Sequence, residues 1–295
     1  MALRDVLARV PPAFRGFAAG KAHETVHVAG SSRPDEEDRD MKVDELCRVK
    51  SHAECGPGYR RLVFEAPQMA SGLQPGQFVH VRVPGLEPTA LRRPFSVFDA
   101  AEGFVTILYK TVGRGTAALN AVRPGDGVRV LGPLGHGFPT ACSGAAYLVG
   151  GGYGVAPLHF LAKRLKAAGL SRIVLFAGGR TSADLLALED FRALGAELRL
   201  ATNDGSLGTK GFVTAPLDAA LAAGEECELF ACGPDPMLKA VAERAIAHGR
   251  KGWISMDRHM ICGVGACYAC IQRTVRGNSR CCLEGPVFRA EDLVW

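Results

Sequence analysis

Near its C-terminal end the sequence reads CGVGACYAC. This sets Cys262, Cys267 and Cys270 in a C-x4-C-x2-C run, with Cys281 and Cys282 following side by side. A triplet so spaced, with a distant fourth cysteine, is the plant-type [2Fe–2S] arrangement. Two irons need four thiolates converging on a small volume; a tight loop supplies three and a later residue the fourth. Gly263 and Gly265 permit positive φ and turn backbone N–H groups toward the sulfurs, and such bonds raise the reduction potential. Structural zinc also takes four cysteines, but through paired C-x2-C knuckles. A disulfide framework belongs to small secreted chains. Neighbouring side chains in an extended chain point opposite ways, so one of Cys281 and Cys282 can ligate, and the spacing alone leaves the choice open.

Other segments carry residue types that hold nucleotides. LVGGGYGVAPL places Gly150, Gly152 and Gly154 between an apolar run and a helical one, where a backbone can closely approach a pyrophosphate. Val155 stands in the third glycine's place of G-x-G-x-x-G, and a turn using glycine only for packing would read the same. CGPDPM follows a later strand, at an edge where open α/β sheets bind ligands. Cys232, Gly233 and Pro234 could meet a nicotinamide or flavin ring there; a buried structural thiol is the plain alternative. Earlier, RRPFS offers Arg92 or Arg93, Pro94, Phe95 and Ser96, and VGRGT offers Gly113, Gly115 and Thr116. An arginine, an aromatic surface and a glycine turn suit a flavin dinucleotide, although either segment alone reads as an ordinary strand or turn. Leu108, Tyr109 and Lys110, ending the strand GFVTILYK, stand with them as flavin-binding candidates.

The elements that must position these residues fall into blocks. Residues 1–41 include SSRPDEEDRD, which is polar and without pattern, and read as a flexible extension; Met41 is itself a candidate natural start. From 42 to 141, YRRLVFEAP, QFVHVRVP, PFSVF, GFVTILYK and GVRVLGP are short strands between Pro/Gly breaks, the signature of a small antiparallel barrel. From 142 to 250 strands alternate with helices (about 156–168, 213–223 and 235–248), which implies a parallel sheet covered on both faces. The cysteine module, 251–295, shows little regular pattern.

With 295 residues the chain can build several cores. A net charge of +5 with no basic block argues against nucleic acid. No long apolar run lacks glycine breaks, which argues against a membrane span. The first thirty residues carry no compact apolar h-region. Of the ten cysteines, Cys47, Cys55, Cys142, Cys227 and Cys232 are scattered and the rest crowd near the C-terminal end, which, with no export signal, fits a reduced, cytoplasmic protein with one cysteine-ligated site.

In order, RRPFS, GRGT, GPLGHGF, GGGYGVAPL, TNDGSLGTKGFV, CGPDPM, CGVGACYAC and C-x-x-GPVF resemble the ferredoxin reductase family. Within it they resemble the electron-transfer subunits of two-subunit, NAD-linked dihydroorotate dehydrogenases, over about residues 42 to 295. The resemblance implies a flavin-binding barrel whose R-x-[YF]-S motif is Arg93-Pro94-Phe95-Ser96, a nicotinamide domain and a small C-terminal [2Fe–2S] module. It implies FAD, NAD(H) and a cluster on Cys262, Cys267, Cys270 and Cys282, the last chosen by its distance to Gly285-Pro286-Val287-Phe288. It also implies a role in pyrimidine biosynthesis beside an FMN-containing catalytic subunit, in a heterotetramer. Arg180 and Ser182 lie where a 2′-phosphate could be met, and Asp184 is the nearest acid for a ribose. The alternative is a reductase subunit of a ferredoxin–NADP or sulfide dehydrogenase system. An oxygenase reductase and a zinc-stabilised scaffold are further readings.

Overall fold

The computed structural model describes residues 42–86 and 91–295; the expected extension at 1–41 and the candidate start at Met41 lie outside them. Six antiparallel strands close a barrel: β1 (Val43–Gly56), β2 (Tyr59–Glu65), β3 (Phe78–Arg82), β4 (Arg93–Ala101), β5 (Phe104–Lys110) and β6 (Gly127–Leu134). The order around it is β1-β2-β5-β4-β3-β6. Alternation decides what fills it, because successive side chains face opposite sides. Val79 and Val81 of β3 enter the barrel core with Phe95, Val97 and Ile107, while Phe78 and His80 lie on the outer face. A four-residue helix, α1 (Pro67–Ala70), leads toward β3, and α2 (Arg114–Leu119) follows β5.

Beyond the barrel a seven-stranded sheet runs β10-β9-β8-β7-β11-β12-β15. Its members are β7 (Ala145–Gly151), β8 (Ile173–Gly179), β9 (Glu197–Thr202), β10 (Thr209–Lys210), β11 (Cys227–Cys232), β12 (Gly252–Ser255) and β15 (Val287–Arg289). All pairings are parallel except β12 with β15. Helices α3 (Val155–Ala167), α4 (Leu188–Ala193), α5 (Thr214–Ala222) and α6 (Asp235–Ala247) connect the strands. The sheet is apolar on both sides, as helix-covered parallel strands require: Tyr147 and Val149 join one buried cluster, Ala146 and Leu148 the other.

The segment after 250 has more regular structure than its sequence suggests. β12 and β15 join the nucleotide sheet, and β13 (Ile271–Thr274) pairs with β14 (Gly277–Arg280) as a hairpin. These strands have three or four residues each, too few to display a period. The same segment leans on the barrel: Phe78 and Leu134 share a buried cluster with Cys270, Cys281 and Cys282. The His136 N–H donates to the Gly285 carbonyl at 2.6 Å.

Barrel and sheet are joined by polar and aromatic contacts. His159 of α3 stacks on Phe98 with ring centroids 4.1 Å apart, and Lys163 reaches Asp99 at 2.7 Å. Arg61 of β2 pairs with Asp190 at 2.7 Å.

Candidate functional site

The cysteine loop is shaped by two glycines in the left-handed region, Gly263 at φ 73° and Gly265 at φ 80°. Tyr268 also has positive φ, 57°. The turn aims amides at sulfur: Val264 N–H at Cys262 Sγ (3.5 Å), Gly265 N–H at Cys282 Sγ (3.1 Å) and Cys282 N–H at Cys270 Sγ (3.4 Å). Burial raises the Cys262 thiol, but the N–H groups of Val264, Cys267 and Ala266 and the Cys267 thiol outweigh it and hold it at about 6. Burial and the neighbouring Cys270 push Cys282 up to about 12.

The side chain of Cys262 interacts with that of Cys267, and the side chain of Cys282 with Cys270 and, through space, with Cys262. Among the described residues no three His, Cys, Asp or Glu side chains converge as on a single metal ion. A mononuclear zinc centre gathers four sulfurs about one point, whereas a two-iron cluster takes two thiolates on each iron. The loop amides aimed at Cys262, Cys270 and Cys282 suit a set of thiolates shared by such a cluster. Cys281 is fully buried, with its thiol pushed up to about 12 by burial and by the nearby Cys270. Arg280 braces the loop, donating to the Gly265 carbonyl at 3.1 Å and lying over the Tyr268 ring at 5.0 Å. Tyr268 itself is 62 % exposed, and Ile261 and Val264 beside it are exposed too.

In the barrel the two flavin candidates come together. A Cβ on Gly115 would sit 2.7 Å from Arg93 Nε, so the arginine lies directly over the GRGT turn. Gly113 is the N-cap of α2, and the Thr116 hydroxyl accepts from Gly113 N–H at 3.1 Å and Val112 N–H at 2.9 Å. The guanidinium and the first turn of α2 thus share one place, chemistry suited to a pyrophosphate. Phe95 is buried against Tyr109, centroids 5.5 Å apart, while Pro94 and Ser96 are half-buried on the opposite side of the strand. Tyr109 departs from its expected place among flavin contacts: its ring enters the barrel, where its hydroxyl donates to Asn120 at 2.9 Å. Period-two alternation sends Leu108 and Lys110 to the other face, toward the sheet.

A cavity of about 630 Å³ opens between barrel and sheet, lined among others by Tyr59, Lys110, Gly152, Asp184 and Pro234. Lys110 donates to the Tyr59 hydroxyl at 2.9 Å, which donates to Asp184 at 2.7 Å. Burial raises the Asp184 carboxyl, but hydrogen bonds from Tyr59 and Arg180 outweigh it and hold it at about 2. Asp184 is thus engaged across the domain junction as well as lining the cavity. Arg180 lines it too, whereas Ser182 is exposed.

The glycine-rich turn serves two ends. A Cβ on Gly154 would lie 2.3 Å from the Cys232 carbonyl oxygen, and one on Gly150 would lie 2.6 Å from Val155 Cγ1, so both are demanded by packing. Gly152 has φ 55° and borders the cavity. Cys232, Gly154, Gly233 and Pro234 line an adjoining cavity of about 230 Å³ with Tyr153 and Asp257. Burial and the Asp257 carboxylate push the Cys232 thiol up to about 12 against a hydrogen bond with Ser255, so it stays protonated. Tyr59, Tyr153 and Asp257 gave no sequence signal: two are aromatics in ordinary contexts and the third follows a short strand.

Three family models match in succession: an oxidoreductase FAD-binding domain over 46–138, an oxidoreductase NAD-binding domain over 148–243, and the iron-sulfur cluster binding domain of dihydroorotate dehydrogenase B over 257–294. The dihydroorotate dehydrogenase B (NAD(+)) electron transfer subunit of Bacillus caldolyticus is 46 % identical over 229 residues, covering 75 % of this chain and 87 % of that protein. Its counterpart in Fusobacterium nucleatum is 36 % identical, covering 86 % and 99 %. A solved NADH-dependent reduced ferredoxin-NADP oxidoreductase has a similar fold, with TM-score 0.78 and 31 % identity, covering 85 % of this chain and 90 % of that one. With the three domains in this order and relatives matched over most of their length, the chain belongs to the electron transfer subunits of NAD-linked dihydroorotate dehydrogenase B.

Proposed function

We propose that this subunit relays electrons from a partner dihydroorotate dehydrogenase subunit carrying FMN to NAD⁺, in pyrimidine biosynthesis. The observation that carries the reading is a cysteine loop whose amides point at the sulfurs of Cys262, Cys270 and Cys282, inside a segment matched to the dihydroorotate dehydrogenase B iron-sulfur domain. When bound, the cluster supplies one-electron chemistry and FAD joins it to two-electron hydride chemistry.

Each residue then has a task. Cys262, Cys267, Cys270 and Cys282 would together hold the two irons, and Cys281 stays a buried thiol. Arg93 and the Gly113–Gly115–Thr116 turn hold the FAD pyrophosphate. Pro94 and Ser96 line the flavin ring, with Leu108 and Lys110 on the sheet-facing side and Phe95 and Tyr109 supporting from within the barrel. Gly150, Gly152 and Gly154 shape the turn beneath NAD(H), and Gly233 and Pro234 close the cavity opposite. Cys232, as a neutral thiol, walls the reacting end and keeps water out. The domain limits we propose are 42–141, 142–250 and 251–295, with β12 and β15 lending the last segment's strands to the sheet of the second.

The partner docks on the exposed face of the cysteine loop, and two copies of each subunit form a heterotetramer. Among the described residues no helix is long and apolar enough to cross a membrane. We place the protein in the cytoplasm because its site depends on reduced cysteines. A reductase subunit of the ferredoxin–NADP type is the second reading, favoured by the 31 % identical structure; the 46 % identity to dihydroorotate dehydrogenase B subunits outweighs it.

The deciding experiment measures dihydroorotate-dependent reduction of NAD⁺ with and without the catalytic subunit. Activity only in the mixture, with one FAD and two irons per copy of this chain, is the expected result. Full dihydroorotate oxidation by the isolated chain, or zinc in place of iron, would refute it.

A further inference from the structure

We propose that His80 donates a ring N–H to a sulfur of the cluster held by Cys262, Cys267, Cys270 and Cys282, raising its reduction potential and tying it to the barrel. This deepens the reading above and rests on it.

His80 is completely buried, and neither ring nitrogen has a hydrogen-bond partner among the described residues. Buried polar groups are almost always paired, and leaving one unpaired costs about 1–3 kcal/mol. The ring lies on the outer face of β3, and it reaches the cysteine loop. A Cβ on Gly263 would sit 2.8, 2.9 and 3.1 Å from its Cε1, Nδ1 and Nε2. The ring edge that carries both nitrogens therefore faces the residue next to Cys262. On its other sides it meets Phe78, centroids 5.6 Å apart, and Arg92, which donates to the His80 carbonyl at 3.4 Å. Phe78 offers no lone pair in plane and Arg92 is donor-only, so neither accepts from the imidazole. Thiolate and sulfide sulfurs are acceptors in excess of the loop amides aimed at them. An imidazole carries at least one ring N–H in either protonation state, so it has a proton to share with a sulfur. Hydrogen bonds to cluster sulfurs raise the potential, and this one comes from a flavin-barrel strand, beside Pro94 in the β3–β4 register.

The test compares the holo chain with His80→Leu. Iron, acid-labile sulfide and FAD are assayed first; an iron-free native chain would defeat the cluster reading itself and this inference with it. An EPR-monitored redox titration should then show the His80→Leu cluster about tenfold harder to reduce, equivalent to ~59 mV for one electron. Pulsed EPR on native protein grown with ring-¹⁵N histidine should show a weak ¹⁵N coupling to the reduced cluster, which disappears in the variant. If His80→Leu fails to assemble the cluster, His80→Gln, which keeps an N–H donor, should restore it with a potential nearer native. An unchanged potential in a loaded variant, or no histidine coupling in the native protein, overturns the proposal.

Discussion

Cys281 and Cys282 are neighbours with different surroundings. Of the two, only Cys282 has its sulfur met by the Gly265 amide, and its own N–H reaches Cys270 Sγ. Cys282→Ser should abolish the cluster, with iron and sulfide lost from the purified chain. Cys281→Ser should keep both but lower stability by ~1–3 kcal/mol, because it buries a hydroxyl in apolar surroundings; iron analysis and thermal unfolding check the pair. The letters C-x4-C-x2-C made three candidate ligands legible, since their spacing is a property of one loop. The choice between the adjacent cysteines needed either family likeness or the fold, as both stand in the same short stretch. His80 and Tyr59 were illegible for another reason. Each sits in a strand whose alternation is ordinary, and what gives it interest is a segment distant in sequence.

At the level of elements, the first turn of the nucleotide domain is clamped by the end of β11. Gly154→Ala would push a methyl to 2.3 Å from the Cys232 carbonyl oxygen, so backbone must move. Such overpacking costs about 1–3 kcal/mol, and the displaced turn should raise KM for NADH in dye reduction with FAD still bound. Steady-state kinetics with flavin content checks this. β3 and β6 were readable because valines recur at every second position, and the nucleotide domain because strand and helix signals alternate. β1 was not: of its first eight residues only Cys47 and Val49 are buried, leaving little period to see. β13 and β14 are short and polar, and their pairing is set by the turn between them rather than by apolar residues.

Across the whole molecule, two properties depend on how barrel, sheet and loop meet. Asp184 anchors Tyr59, and its carboxyl sits below the ~3.9 of an unfolded aspartate. The anchor's contribution, on the order of 2 kcal/mol, is therefore complete above about pH 4 and lost as pH falls toward 2. Asp184→Asn should flatten the acid limb of stability between those values, measured by denaturant unfolding at each pH. The second property is docking. Ala266 is exposed on the cysteine loop beside Tyr268, so Ala266→Glu should weaken assembly with the catalytic subunit at least tenfold while NADH-to-dye reduction stays near native. Dye reduction falling in step with dihydroorotate oxidation would mean the change had damaged the subunit instead.

The sheet order has a consequence for any attempt to isolate the cysteine module. β12 lies against β11, and β15 lies outside β12. A chain cut at residue 250 would not release a small ferredoxin-like protein from an intact reductase. It would strip β11 of one neighbour and leave its row of backbone N–H and C=O groups bare along a fully buried strand. Such an edge templates pairing with other chains. The shortened protein should come out as aggregate, and the freed fragment should lack the barrel wall on which Cys270, Cys281 and Cys282 rest.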